Sequence, residues 1–204
     1  GGSEKVTYIL NDLLNERYSN PDIFSLTSNI KSLKGESFKE SKIKTSFIQS
    51  LPFGKTNVQS YLPILPYAIE QFDLREYDLI ISSSHAIAKG VLTSPDQLHI
   101  SYVHTPMRYA WDQMHTYLKK SKLSKFGFEI PIRFMLYKLR EWDFYSSQRL
   151  DYIIANSNFT SKRIKKYWGL ESDVINPPVD IQRFKYNTPR EEFYISLNRL
   201  VPNK

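Results

Sequence analysis

The chain of 204 residues carries 28 basic and 21 acidic side chains, a net charge of +7, and 41% of its residues are hydrophobic. Such a chain can bury one sizeable core with the edge of a second, which excludes a disordered protein. The absence of cysteine excludes disulfides, cysteine catalysis and thiolate metal sites, and it fits a reducing cytoplasm. No apolar run reaches the roughly 20 residues of a membrane span, and the sequence as it stands shows no signal peptide.

The first part of the chain alternates helical and extended patterns. Apolar residues recur at helical spacing from Glu4 to Arg17, which predicts a helix. The pattern next predicts short strands at Ile23–Thr27 and Lys42–Gln49, a proline-interrupted helix at Tyr61–Phe72 and a stronger strand at Tyr77–Ile81. The last of these strands leads into the polar turn Ser82–His85, and a short helix closes near Gly90.

The segment Leu98–Asp112 is the one around which the chain is organised. Leu98–Val103 predicts a buried strand, and the pattern changes abruptly at His104. Thr105 is a favourable N-cap and Pro106 a favourable first helical residue, so a helix is expected to begin there. This would place the His104 imidazole at the carboxyl end of a strand, where open α/β sheets bind ligands.

The rest of the chain continues the alternation. The pattern predicts a long helix at Lys125–Arg149, a strand at Asp151–Ser157 and a basic helix at Asn158–Trp168 that Gly169 closes. Two more strands are predicted at Asp173–Ile175 and Glu191–Leu197. Strands alternating with helices predict a Rossmann-like α/β domain with a parallel sheet of right-handed βαβ units. In this topology the first strand lies centrally and precedes the first helix, so we expect that strand to be missing ahead of Gly1.

Polar turns at the carboxyl ends of parallel strands open on one edge of the sheet. Four such turns are Gly1–Gly2, Ser82–His85, His104–Thr105 and Asn156–Ser157, and a fifth, Asn198–Lys204, follows the last strand. Glycines ahead of a helix offer N–H groups to an anion or a sugar hydroxyl, and Arg199 with Lys204 offers charge suited to a diphosphate.

Each turn also has a plain structural interpretation. Gly-Gly-Ser at residues 1–3 is typical of a cloning remnant, and a histidine at a strand end is often structural. Ser157 is equally well explained as the cap of the following helix, and Arg199 and Lys204 as solvated charges. The functional interpretation therefore depends on the expectation that all of these turns lie at the same edge of the sheet.

Several segments together resemble family-4 retaining glycosyltransferases of the GT-B fold, in particular bacterial O-antigen and capsule mannosyltransferases. These segments are GGSEKV (1–6), SSSHAIAKG (82–90), SYVHTPMRYAWD (101–112), ANSNFTSKRIKKYWG (155–169), INPPVD (175–180) and NRLVPNK (198–204). The resemblance extends over nearly the whole chain, with Ser3 standing where alanine is common.

The resemblance implies a domain organisation and a reaction type. Residues 1–190 would form the N-terminal, acceptor-binding domain without its first strand, and residues 191–204 would begin the C-terminal, sugar-nucleotide-binding domain. The parent would be a retaining hexosyltransferase that requires no metal or other cofactor. The paired glutamates of that family's C-terminal domain are not in this sequence, so we expect this piece alone to be inactive.

The resemblance also implies roles for residues at the predicted turns. His104 would be catalytic, contacting the donor sugar near its anomeric centre through a hydroxyl or its own backbone. The donor phosphates would be bound by Gly1, Gly2, Arg199 and Lys204. The acceptor cleft would be lined by His85, Thr105, Arg108 and Ser157.

The segment Leu118–Arg140 holds seven basic residues and one acidic residue, a net charge of +6. Interleaved aromatic and basic residues are typical either of a solvated helix with one core face or of attachment to an anionic membrane. The predicted membrane patch consists of Lys119, Lys120, Lys122, Lys125, Phe126, Phe128 and Arg133. Nucleic acid is not an expected partner, because no nucleic-acid-binding motif accompanies this segment.

The resemblance therefore predicts transfer of a sugar from a nucleotide donor to a lipid-linked saccharide. Mannose is the leading candidate for the sugar, with GDP-mannose as its donor. Such a reaction belongs to surface polysaccharide or O-antigen biosynthesis and would place the protein in the cytoplasm, peripheral on the inner face of the cell membrane. Two alternatives stay open. One is a sugar-nucleotide epimerase of similar fold, against which HTPMRYAWD (104–112) argues, and the other is a non-catalytic domain that binds glycan or membrane.

Overall fold

The computed structural model describes residues 2–18, 21–28, 43–120, 127–181 and 192–194. In chain order its helices and strands are α1 (Gly2–Arg17), β1 (Ile23–Ser25), β2 (Ile43–Thr45), α2 (Leu65–Glu70), β3 (Leu79–Ser84), β4 (Leu98–Val103), α3 (Met114–Lys120), α4 (Glu129–Ser147), β5 (Tyr152–Ala155), α5 (Asn158–Trp168) and β6 (Asp173–Val174). Short 3-10 helices cover Phe47–Ser50, Val58–Ile64 and Ala88–Gly90.

A four-stranded parallel sheet in the order β3-β4-β5-β6 forms the centre, and β1 pairs with β2 in a separate parallel sheet. In the central register Ile81 lies beside Ile100, and Ile100 lies beside Tyr152. Every pairing among the described strands is parallel, because each connection returns the chain to the same end of the sheet. The predicted Rossmann-like α/β fold is therefore confirmed.

Two apolar clusters pack around this sheet. The larger one joins α2, the loops that follow β3 and β4, α3 and α4, and it includes the buried residues Ile69, Met107 and Leu139. The smaller one joins β4, β5 and α5 through Val103, Ala155, Ile164 and Trp168. β4 lies at the centre of the sheet and also packs against α5, so it is the most buried of the described strands.

Helix α5 follows the sequence prediction residue for residue. Ser157 is its N-cap, and the Ser157 hydroxyl accepts a hydrogen bond from the N–H of Thr160. Gly169 closes the helix with a φ of 72°, a left-handed conformation that glycine adopts without a Cβ clash. Local signals at both ends fix this helix. The helix predicted from Glu4 is also confirmed, as α1.

The helix predicted to begin at Pro106 is wrong. From Met107 to Gln113 the chain makes consecutive turns, and the next helix, α3, begins only at Met114. The Thr105 hydroxyl donates a hydrogen bond to the carbonyl of Pro106 and caps no helix.

Tertiary packing explains these turns. Both Ala110 and Trp111 donate their backbone N–H groups to the carbonyl of Met107, at 3.0 and 3.1 Å. The resulting tight turn buries Met107 and Ala110 completely and directs the Trp111 indole toward Asp143 on α4. A regular helix starting at Thr105 would satisfy the local signals but would not provide this packing.

Three other predictions change in extent. The strand predicted over Lys42–Gln49 keeps its first half as β2, while its second half is a 3-10 helix capped by the Ser46 hydroxyl. β3 continues through Ser84, so the serines predicted as a turn are part of a strand. The long helix predicted over Lys125–Arg149 is α4, and Lys125 lies outside the described residues.

The strand predicted over Glu191–Leu197 falls largely outside the described residues. Residues 192–194 are described and do not form a strand. The boundary expected at residues 190 and 191 therefore stays a prediction.

A buried ion pair joins the loop after β3 to α4. The side chains of Lys89 and Asp143 are 1% and 0% exposed, with Nζ and Oδ1 3.1 Å apart. The Lys89 ammonium also donates to the Asp143 carbonyl and the Ser146 hydroxyl, and it lies between the rings of Trp142 and Trp168, 5.0 Å from each centroid. Burial lowers the pKa of Lys89, and the nearby Asp143 carboxylate opposes that shift.

The other carboxylate oxygen of Asp143 accepts two indole hydrogen bonds. Trp111 in the loop after β4 and Trp168 at the end of α5 each donate Nε1–H to Oδ2, at 2.8 Å. The Trp111 ring also stacks on Tyr167, with centroids 4.7 Å apart. One carboxylate thus connects four segments of the chain.

Gly90 is required by the same packing. A Cβ at this position would overlap the ring of Trp142. The Trp142 indole is fixed there because its Nε1–H donates to Glu70 on α2, at 2.9 Å.

Replacing Asp143 by alanine should lower the free energy of unfolding by about 3–5 kcal/mol, because Lys89 would stay buried without a counter-ion and two indoles would lose their acceptor. Urea unfolding followed by far-ultraviolet circular dichroism measures this change. The matched control is Glu141→Ala on the same helix, which removes a surface ion pair with Lys138 and should leave the midpoint nearly unchanged. Equal effects of the two substitutions would contradict the role given to Asp143.

Candidate functional site

The carboxyl ends of β3 and β4 hold His104 in a defined position. The His104 backbone N–H donates to the carbonyl of Ser84, at 2.8 Å, which continues the strand pairing by one residue. The imidazole Nε2 lies 2.9 Å from the hydroxyl of Ser83. The ring also contacts the edge of Tyr102, with centroids 5.2 Å apart. Backbone and side chain are thereby both fixed.

The His104 imidazole is half-buried at this edge. Desolvation lowers its pKa, and the neighbouring His85 lowers it further. The ring is therefore neutral near pH 7, with one nitrogen able to donate and the other able to accept. A neutral imidazole beside a serine hydroxyl suits hydrogen bonding to a neutral polyol such as a sugar.

His85 and Arg108 lie together at the mouth of a cavity. Both side chains are exposed, yet desolvation by the surrounding walls lowers the pKa of His85. The positive charge of Arg108 lowers it further, and Glu4 in the first turn of α1 opposes the shift. The cavity, of about 950 Å³, is lined at this end by Glu4, His85, Thr105 and Arg108. The structure thus brings three of the four predicted cleft residues to one opening.

The fourth predicted cleft residue, Ser157, is connected to His104 through a helix cap. Its hydroxyl accepts from the N–H of Thr160, at 3.2 Å, and the Thr160 hydroxyl donates to the carbonyl of His104, at 3.2 Å. The structural interpretation of Ser157 as a cap is confirmed, and its role in the cleft stays a prediction.

The residues predicted to bind the donor phosphates are described only in part. Gly2 is the first residue of α1, and a Cβ placed there would meet no atom within 4 Å, so its backbone is open to approach. Gly1, Arg199 and Lys204 lie outside the described residues.

Sequence reasoning did not identify the residues that hold His104 and the loop after β4 in place. Ser83 belongs to the predicted turn, but nothing local distinguishes it from Ser82 and Ser84 as the partner of His104. Asp143 was not singled out either. The only sequence signal for its site is Lys89, a charged residue in the otherwise apolar and small run Ala86–Val91.

No group of three histidine, cysteine, aspartate or glutamate side chains able to hold a metal ion occurs in the described part of the chain.

The predicted membrane patch is also described only in part. Lys119 and Phe128 are exposed, whereas Arg133 is half-buried and pairs with Glu129 at 2.6 Å. Lys122, Lys125 and Phe126 lie outside the described residues, as does the Lys120 side chain.

Helix α4 presents an exposed apolar stripe, which begins inside the basic aromatic segment Leu118–Arg140 and continues beyond it. Ile130 is 79% exposed, Phe134 61% and Tyr145 66%, with Tyr137 between them. Their spacing places these side chains along one face of the helix. No helix in the described ranges is long and apolar enough to cross a membrane.

The sequence profile described as Glycosyltransferase Family 4 matches residues 1–183. The chain belongs to glycosyltransferase family 4. No curated protein and no solved structure matches it. The part of the chain that matches the family contains His104, His85 and Arg108, and every helix and strand described above.

The two histidines of the β4 region, His99 and His104, differ in environment. His99, inside β4, is fully buried, and its Nε2 lies 3.0 Å from the Ser82 hydroxyl. Desolvation lowers its pKa to about 4, which the Asp151 carboxylate opposes in part. His99 is therefore a neutral core residue, whereas His104 is only half-buried at the carboxyl end of β4.

The stability of the folded chain should fall as the pH drops from 6.5 toward 4. In this window His99 is protonated in the unfolded chain but neutral in the folded one. Because the unfolded chain binds more protons, the free energy of unfolding falls, by about 3 kcal/mol at the lower end of the window. Urea unfolding across this pH range measures the slope. In the matched variant His99→Gln the slope should be shallower, and parallel profiles of the two proteins would contradict the assignment.

Proposed function

We propose that this chain supplies the acceptor-binding half of a retaining hexosyltransferase, with residues 1–190 as the N-terminal domain and residues 191–204 leading into the donor-binding domain. Membership of a glycosyltransferase family supports the reaction class. The observation that carries the proposal is His104, fixed by Ser83 and Ser84 at the carboxyl end of β4, next to Thr105, which lines the cavity.

The proposed substrates are a sugar nucleotide and a lipid-linked saccharide, in surface polysaccharide or O-antigen biosynthesis. Mannose, from a donor such as GDP-mannose, is the first candidate because SYVHTPMRYAWD (101–112) resembles the corresponding segment of bacterial mannosyltransferases. The reaction would proceed without a metal or other cofactor.

In the proposed reaction an acceptor hydroxyl replaces the nucleoside diphosphate at the anomeric carbon of the sugar. The neutral His104 imidazole would hydrogen-bond a hydroxyl of the donor sugar and hold that carbon in place. Negative charge develops on the departing diphosphate, and cations or backbone N–H groups nearby would stabilise it. Gly1, Gly2, Arg199 and Lys204 are the proposed phosphate-binding residues, while His85, Thr105, Arg108 and Ser157 would line the acceptor cleft.

In the full-length parent enzyme, His104→Ala should lower kcat/KM at least about 100-fold, because it removes a contact to the reacting sugar. Sugar transfer from candidate nucleotide donors measures the effect, and thermal unfolding checks that the variant is folded. The matched control is His115→Ala, which removes an exposed histidine on α3 and should leave transfer unchanged.

Unchanged transfer by a folded His104→Ala protein would show that the catalytic assignment is wrong. A parent protein that binds glycan but transfers no sugar with any nucleotide donor would support a non-catalytic binding domain instead.

Attachment to the inner face of an anionic membrane is part of the same proposal, since a lipid-linked acceptor is embedded there. The apolar stripe of α4 supports it, because exposed aromatic and aliphatic side chains partition into the lipid interface. Lys119, Lys120, Lys122 and Lys125 would add attraction to anionic headgroups. Arg133 contributes less, because Glu129 already neutralises it.

Replacing Ile130 and Phe134 by serine should lower the affinity for phosphatidylglycerol-containing vesicles by at least about tenfold. The reason is that two apolar side chains would no longer be transferred from water into the lipid interface. Vesicle co-sedimentation at two salt concentrations measures the affinity and its electrostatic part. Phe159→Ser, at a 69% exposed position on α5, is the matched control and should bind normally. Unchanged binding after loss of both α4 residues, or after loss of the four lysines, would contradict the membrane assignment.

A further inference from the structure

The residues that follow β6 are attached to the sheet by individual hydrogen bonds. β6 is two residues long and, within the described parts of the chain, pairs with β5 alone. The Ile175 N–H continues this pairing by donating to the carbonyl of Ala155, at 3.0 Å. Residues 173–181 are all exposed, and residues 175–180, here called the exit segment, have no regular secondary structure. The position of the exit segment therefore depends on the few groups that bond to it.

One of these groups comes from β4, which is not the neighbour of β6. The Tyr102 hydroxyl donates to the carbonyl of Ile175, at 2.9 Å. Strand β5 lies between β4 and β6, so the Tyr102 side chain crosses β5 to reach the exit segment. Only 6% of Tyr102 is exposed. Because a buried ring has little rotamer freedom, this connection is a stiff one.

The ring of Tyr102 also contacts His104. His104 follows Tyr102 by two residues and continues the strand pairing, so both side chains leave the chain on the same face of the sheet. Their ring centroids are 5.2 Å apart, in a T-shaped arrangement with an interplanar angle of 69°, which is a favourable geometry for two rings. One side chain thus contacts the imidazole with its ring and the exit segment with its hydroxyl.

A second connection from the exit segment ends at the His104 backbone. The Asn176 side chain donates to the carbonyl of Asn156, at 3.2 Å. Asn156 precedes the N-cap of α5, and Thr160 in the first turn of α5 donates its hydroxyl to the carbonyl of His104, at 3.2 Å. This route reaches the backbone of His104, whereas the route through Tyr102 reaches the imidazole. The two routes can therefore be separated by substitution.

We propose that Tyr102 is a positioning residue that couples the His104 imidazole to the exit segment, so that a displacement of this segment reorients the imidazole. This coupling rests on the proposed function only for the contact between His104 and the donor sugar. In the proposed domain organisation the exit segment leads toward residues 191–204 and the donor-binding domain. Tyr102 would then transmit the position of that domain to the group that binds the reacting sugar.

The test displaces the exit segment and observes the imidazole by NMR, in the full-length parent labelled with 13C at histidine Cε1. Asn176→Ala removes one attachment of the segment and should shift the Cε1–H signal of His104, which a His104→Gln variant identifies. In a Tyr102→Phe background the same substitution should leave this signal unmoved, because the ring stays beside His104 but no longer bonds to Ile175. Tyr152→Phe, which removes the hydroxyl of a 60% exposed residue on β5, is the matched background and should preserve the shift.

Hydrogen–deuterium exchange of the peptide that covers residues 173–181 checks the attachment itself. Tyr102→Phe should speed this exchange about fivefold, because the carbonyl of Ile175 loses a donor. Tyr152→Phe should leave the exchange unchanged, and Asn176→Ala should speed it as well.

An equal shift of the His104 signal by Asn176→Ala in the Tyr102→Phe and Tyr152→Phe backgrounds would overturn the proposal, since the coupling would then run through Asn156 and Thr160. Faster exchange in Asn176→Ala without any shift of the His104 signal would overturn it too. Neither measurement involves sugar transfer. A parent without transferase activity would therefore refute the proposed function while the coupling is still measured.

Discussion

The buried carboxylate of Asp143 on α4 holds together the loops that follow β3 and β4 and the end of α5. It receives the Lys89 ammonium and the indole N–H groups of Trp111 and Trp168. Leaving a desolvated charge without its partner is strongly destabilising, so the packing of these segments is interdependent. None of the four residues lines the cavity, yet through Trp111 they determine the path of the loop that follows His104.

The polar side chains near the cavity differ in how firmly they are held. His104 is fixed by strand pairing, by Ser83 and by the aromatic edge of Tyr102, so its orientation is set before any ligand arrives. His85 and Arg108 are exposed and keep rotamer freedom. A preorganised hydrogen-bonding group next to exposed polar groups fits the proposed role of this corner, which is to hold a reacting sugar while admitting a larger partner.

Elements with strong local signals could be predicted from the sequence, and elements decided by distant contacts could not. Helix α5 was predicted to the residue because Ser157 and Gly169 mark its ends within the chain itself. The loop after His104 was mispredicted, because the preference of Thr105 and Pro106 for a helix start is weaker than the packing of Met107 and Trp111 against α4. For the site, the polar strand ends indicated His104 and His85. The Lys89–Asp143 pair spans 54 residues of sequence and has no local pattern, so only the fold reveals it.

The position of the tryptophans has a spectroscopic consequence. The chain contains three: Trp111 and Trp168 bond to Asp143, and Trp142 lies against the Lys89 ammonium. All of the indole emission therefore originates around one ion pair, and none from α1, β1 or β2. Tryptophan emission would therefore report the loosening of this corner, whereas far-ultraviolet dichroism follows all helices and strands together. A difference between the two unfolding profiles would show that this corner loosens separately from the rest of the fold.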